Sequence, residues 1–129
     1  MIAHVALVYG IYVMMFLRRR EAVRSGAAKV SQFRENTSEP PQSLFVRNSL
    51  ANQFELPVLF HIGCLALYAT NGATFVAVIV AWIFVASRYV HAFIHVTTNR
   101  IRWRRPAFTL GFLANLVLWI MLAIRIAAA

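Results

Sequence analysis

Two groups of hydrogen-bonding and ionisable side chains interrupt an otherwise apolar chain. In the stretch RNSLANQFELP, Arg47 leads into Asn48, Asn52 and Glu55, spaced i, i+4, i+7. On a helix those last three share one face. Further on, Arg88, His91, His95 and Arg102 follow i, i+3, i+7, i+14, again one helical stripe. A carboxylate or a guanidinium inside a membrane-type segment is costly unless something pairs with it. The arginine fork suits a carboxylate through two hydrogen bonds, so Glu55 is expected to pair with Arg88. Together the two stripes would suit a small polar anion, with an apolar ligand admitted from the lipid side.

The elements that must carry these residues are membrane helices. The chain of 129 residues is 60% hydrophobic and 13% charged, with a mean hydropathy of +0.65. Soluble domains average about 25% charged residues. Four apolar runs, 2–17, 47–68, 73–98 and 107–124, read as spans of one all-α, four-helix bundle in a single domain 1–129. The run 2–17 is short for a bilayer and is followed, not preceded, by Arg18, Arg19 and Arg20, so it reads as a retained span and not a cleavable signal. His4, near its far end, is expected at an interface. Pro57 within the second span should free the Gln53 carbonyl and bend the helix. The cluster Asn36, Thr37, Ser38, Glu39, Pro40, Pro41 should end any helix before it. The uncharged turn Thr70–Asn71–Gly72 makes spans two and three an antiparallel hairpin.

Charge placement fixes an expected topology. There are 13 basic residues against 4 acids, a net charge of +9, and the basic residues concentrate in the loops 18–46 and 99–106. The positive-inside rule puts both loops in the cytoplasm and both termini on the opposite side. The protein is thus expected to be an integral, multi-pass membrane protein with the lipid bilayer as its partner. Nucleic acid is not expected, because the cations sit between apolar runs instead of on one basic face. Depth then matches across helices: Glu55 lies about 12 Å from Arg47 along the axis, and Arg88 about 18 Å before Arg100.

Polar residues in a small bundle can serve helix cohesion alone. Two Asn, one Glu, one Arg and two His at one depth exceed what that requires, and intramembrane ionisable groups tend to be functional. No metal is expected: His91 and His95 are an i, i+4 pair, but the chain has four His in all and no zinc-type Cys/His spacing. Cys64, the lone cysteine, reads as a small hydrophobe.

These residues resemble the MAPEG family, the membrane-associated proteins of eicosanoid and glutathione metabolism. The resemblance lies in Arg47, Asn52, Glu55 and Pro57, with Asn-x-x-Glu followed by Pro, and in Arg88-x-x-His91 with His95 after it. The latter is similar to the Arg-x-x-His-x-x-x-Tyr pattern of the microsomal glutathione transferases, which makes the chain look like a bacterial-type member nearest that branch. The resemblance implies a homotrimer that binds glutathione between protomers. Arg47, Asn48, Asn52, Glu55, Arg88, Tyr89 and His91 would hold the peptide. One of Arg100, Arg102 or Arg104 would stabilise the thiolate, with His95 beside it. It also implies a glutathione transferase or peroxidase acting on apolar electrophiles from the bilayer. The chain departs from the pattern at His95, where the transferases carry Tyr, and at Leu56, where the leukotriene-forming branch carries Tyr. Those departures favour an alternative on the same fold, a non-enzymatic lipid-binding or structural membrane subunit.

Overall fold

The computed structural model describes residues 1–35 and 38–128. Asn36 and Thr37, part of the expected helix-ending cluster, lie outside them. The described residues form helices α1 (Ile2–Arg24), α2 (Val30–Glu35), α3 (Pro41–Ala51), α4 (Leu56–Ala69), α5 (Phe75–Val96) and α6 (Ile101–Ala127), with a 3-10 turn at Asn52–Phe54. Among the described residues there is no strand. Four segments are long and apolar enough to cross a membrane: α1, α3 with α4, α5 and α6. The all-helical membrane bundle is therefore as expected.

The second span is two rods, not one bent helix. The α3 rod begins at Pro41, where the missing N–H costs nothing. It ends at Ala51, and α4 restarts at Leu56 with Pro57 in its first turn. Pro57 cannot donate to the preceding turn, and its ring crowds the residues before it. Glu55 takes up the break, at φ −97° and ψ −107°. Glu55 consequently leaves the helical face that Asn48 and Asn52 were expected to share with it.

The helix ends also differ from expectation. Helix α1 continues past Leu17 through the arginine triplet to Arg24. Helix α6 starts at Ile101, so most of the expected loop 99–106 is its first turns. Asn99 turns the chain into α6 in the left-handed region at φ 48°, which Asn tolerates better than most residues. At the hairpin, Gly72 N–H donates to the Leu67 carbonyl at 2.7 Å, and the Thr74 hydroxyl caps α5 by accepting from Ala77 N–H at 3.3 Å. Arg125 Nε closes the same end by donating to the Thr70 carbonyl at 2.9 Å.

Two apolar cores result. One joins α4, α5 and α6 through Phe60, Leu67, Phe84, Val85, Leu118 and Leu122, with Phe60 stacked on Phe84 at 4.1 Å between centroids. The other joins α1, α3 and α5 through Ile11, Val46, Leu50 and Ala92. Helix α6 packs most extensively on α5 and also on α4. Gly111 sets that approach: a Cβ there would lie 2.5 Å from Ser87 Oγ, and Ser87 Oγ is already committed to the Phe84 carbonyl at 2.6 Å. Large apolar side chains such as Trp82, Leu113 and Ile120 remain exposed on the outside, where lipid tails are the matching solvent.

The loop side is clamped by an ion pair. Glu39 receives Arg19 Nε at 2.9 Å and Nη2 at 2.6 Å, Ser43 Oγ at 2.5 Å, and the more distant Arg47 at 3.9 Å. Burial alone would raise the Glu39 carboxyl, but the hydrogen bonds from Arg19 and Ser43 and the charge of Arg47 outweigh it and hold it below the ordinary carboxylate value.

Two predictions follow from this packing. Gly111→Ala should destabilise the bundle by about 1–3 kcal/mol, read as a lower melting temperature, and Ser87→Ala in the same chain should recover most of the loss. Because the Glu39 pKa is depressed on folding, its contribution is present above the unfolded carboxylate pKa, about 4.3, and fades as pH falls through the folded value. Thermal melts of Glu39→Gln should lie about 1–2 kcal/mol below the parent at neutral pH and converge with it in acid.

Candidate functional site

Helix α5 places its polar stripe inside. Arg88, His91 and His95 are all buried, and Arg88 is fully so at 0% exposure. The Arg88 guanidinium lies 5.6 Å from the Phe108 ring centroid, and its Nη2 is 3.4 Å from His91 Nδ1. Its Nε and Nη1, like His95 Nδ1, have no hydrogen-bond partner among the described residues. A buried cation left this way costs several kcal/mol unless an anion completes it.

The expected Glu55–Arg88 pair does not form. The break before Pro57 turns Glu55 to the surface, where it is exposed, and its charge reaches Arg88 only at longer range. The buried face of α3 instead carries Ser43, Val46, Ser49 and Leu50, with Gln53 buried in the turn that follows. Arg47 and Asn48 are exposed. The Asn48 carbonyl accepts from Asn52 Nδ2 at 2.8 Å.

Beside His91 opens a cleft of about 290 Å³ lined by Asn52, His91, Arg104, Arg105, Phe108 and Thr109; Arg88 lies behind Phe108 and His91 and does not line it. The cleft brings together three of the expected residues: Asn52 from the 3-10 turn, His91 from α5 and Arg104 from α6. Of the three candidate arginines, Arg104 alone lines it. Arg104 is half-buried and donates from Nη1 to Asn99 Oδ1 at 2.5 Å. Arg100 and Arg102 are exposed, with Arg102 lying over the Trp103 ring at 5.6 Å. Tyr89 does not join the cleft; its hydroxyl donates to the Ala3 carbonyl at 2.7 Å.

Arg105, Phe108 and Thr109 were not anticipated. A loop over 99–106 separates Arg104 and Arg105 from the span that carries Phe108 and Thr109, whereas helical numbering from Ile101 puts 104, 105, 108 and 109 on one face. Stacking cations at a helix start opposes the macrodipole, whose positive end is already there. The arrangement is unfavourable for folding and favourable for an anion.

A second polar group was also missed. His4 is not interfacial: it is buried at 1% exposure, and the start of α1 meets the middle of α4 and α5. His4 Nε2 and Gln53 Oε1 are 3.1 Å apart, as are His4 Nδ1 and His61 Nε2. An amide oxygen only accepts, so His4 donates from Nε2 and accepts at Nδ1 from His61. The Gln53 amide donates in turn to the Ser49 carbonyl at 2.9 Å. This chain of bonds ties α1 to both rods of the second span.

A family model described as the MAPEG family matches residues 1–124. No curated protein and no solved structure matches the chain.

Replacing Arg88 separates ligand binding from folding. Arg88→Met removes an uncompensated buried charge and keeps most of the side-chain volume, so the melting temperature of the ligand-free protein should hold or rise. A fall equivalent to about 3–5 kcal/mol, the usual cost of breaking a satisfied buried pair, would show that Arg88 is a structural tie.

Proposed function

The chain belongs to the MAPEG family, and on that premise we propose that it is a membrane glutathione transferase or peroxidase that assembles as a homotrimer. The observation that carries the reading is the buried Arg88, with two guanidinium nitrogens unpartnered, behind a cleft that presents His91, Arg104, Arg105 and Asn52. Glutathione offers two carboxylates, one ammonium and one thiol. Arg88 and Arg105 suit the carboxylates, Asn52 and His91 add hydrogen bonds, and an exposed Glu55 is free to take the ammonium. Arg47, Asn48 and Glu55, exposed on one protomer, face the Arg88 cleft of a neighbour in such a trimer. The basic segments around Arg20 and Arg105 then face the cytoplasm and both termini the opposite side.

Arg104 has the chemical task. A free thiol has a pKa of about 8.5, and an adjacent guanidinium favours the nucleophilic anion. The thiolate sulfur attacks an electrophilic carbon of an apolar substrate, forming the C–S bond as the leaving group departs with its electron pair. With a hydroperoxide it attacks the terminal oxygen, the O–O bond breaks and the alkoxide takes up a proton. A second glutathione thiol then converts the sulfenic product to the disulfide with loss of water.

Calorimetric titration of glutathione into detergent-solubilised protein tests the reading. Saturable binding at millimolar concentration or below is expected, and Arg88→Met should abolish it. Arg104→Gln should remove the ultraviolet band of bound thiolate and lower kcat/KM by about 100-fold or more, whereas Arg100→Gln should leave both unchanged. Protein that takes up no glutathione at millimolar levels overturns the enzyme reading and leaves a non-enzymatic lipid-binding bundle.

A further inference from the structure

The 3-10 turn at Asn52–Phe54 brings Asn52 to the cleft, yet it sits in a break between two rods. The α3 ladder has ended at Ala51, and Glu55 is outside helical geometry. Side chains supply what the ladder does not. Past Ala51 the backbone N–H groups reach the Asn48 and Leu50 carbonyls. The Ser49 carbonyl, between them, accepts from Gln53 Nε2 at 2.9 Å, beside the bond from Asn52 Nδ2 to the Asn48 carbonyl at 2.8 Å. The Ser49 bond fixes which way the Gln53 amide faces: Nε2 lies toward α3 and Oε1 toward α1, where His4 Nε2 donates to it at 3.1 Å. The Asn48 bond ties Asn52 to the end of α3, so Asn52 moves with the turn.

His4 is itself held against the main core. Its ring centroid lies 6.4 Å from that of Phe60 and 6.3 Å from that of Phe84, and its Nδ1 accepts from His61. A buried polar chain thus runs from the rings of α4 and α5 through His4 to Gln53, one residue from Asn52. Tyr12 of α1 also meets Phe54 edge-on at 6.4 Å, but both rings are exposed. The imidazole–amide bond, shielded from water, is the stronger restraint on the turn.

We propose that His4 is a positioning residue for the cleft: through Gln53 it holds the turn so that Asn52 shares the cleft with His91 and Arg104. For ligand binding this rests on the glutathione reading. Without the His4 donor, Gln53 Oε1 is a buried acceptor left unmade. The amide turns to find another donor, its bond to Ser49 is lost, and the turn carries Asn52 away from the cleft.

Variants of the full chain in detergent test this. His4→Leu removes the donor, and His4→Met repeats the removal with a side chain that packs more adaptably. His4→Gln puts an amide N–H at the reach of the imidazole Nε2 and keeps an oxygen for His61. Hydrogen exchange of the amides of residues 52–55 should be about tenfold faster in His4→Leu and His4→Met and parental in His4→Gln. The Kd for glutathione should rise about tenfold in the first two and hold in the third. In an Asn52→Ala background, His4→Leu should cost no further affinity, because the contact it positions is gone. Unchanged exchange without the His4 donor overturns the proposal, as does an affinity loss that simply adds to that of Asn52→Ala. Loss of the fold in both His4→Leu and His4→Met makes His4 a structural tie and also overturns it. A parent protein that takes up no glutathione overturns the site reading and with it the role in binding, while the exchange of residues 52–55 still decides whether His4 holds the turn.

Discussion

A fully buried positive charge with no carboxylate paired to it among the described residues is the constraint around which this bundle is arranged. Arg88 stands where the two apolar cores meet, on the one helix common to both. On the α6 side, the contact between Gly111 and Ser87 brings the helices too close for another side chain. The Phe108 ring offers its face to the guanidinium, a modest attraction that helps a desolvated cation without neutralising it. His91, the nearest polar neighbour, is a poor partner for a cation. Two of the Arg88 guanidinium nitrogens, Nε and Nη1, are left without a hydrogen-bond partner among the described residues.

Helix α6 gives that charge its setting. The sequence RWRRPAFTLGFLANLVLW passes from a cationic first turn to an apolar body with one amide, and it presents the same face to the second span throughout. Its start tolerates unfavourable charge crowding because the energy is recovered farther along. Leu118 and Leu122 anchor the buried side against Phe84 and Phe60. Polar function at one end is supported by apolar packing at the other.

Much of this is legible in the sequence. Four spans, the hairpin at Thr70–Gly72 and an inward stripe of Arg88, His91 and His95 follow from run length and 3.6-residue periodicity. What escaped depends on relations between helices. Spacing fixes an angle around one axis but not the axial offset of a neighbour, so His4 was assigned to an interface when α1 in fact begins beside Gln53 and His61. Periodicity also fails across a break. Asn48 and Glu55 were placed on one face by counting through a helix that stops at Ala51. Arg105 is hidden for the opposite reason: a basic residue read as loop belongs to a helix that begins at Ile101, whose first turn needs no internal donors.

The break at residues 52–55 has a further consequence for how the chain tolerates change in length. In an unbroken helix, one inserted residue rotates everything beyond it by about 100° and carries core positions into lipid. Here the two rods are joined by a 3-10 turn and one irregular residue, and such a joint can absorb an insertion by rewinding locally. A residue inserted between Pro41 and Ala51 would therefore leave Phe60 on Phe84 in place. The upper and lower halves of the second span are free to diverge as separate modules.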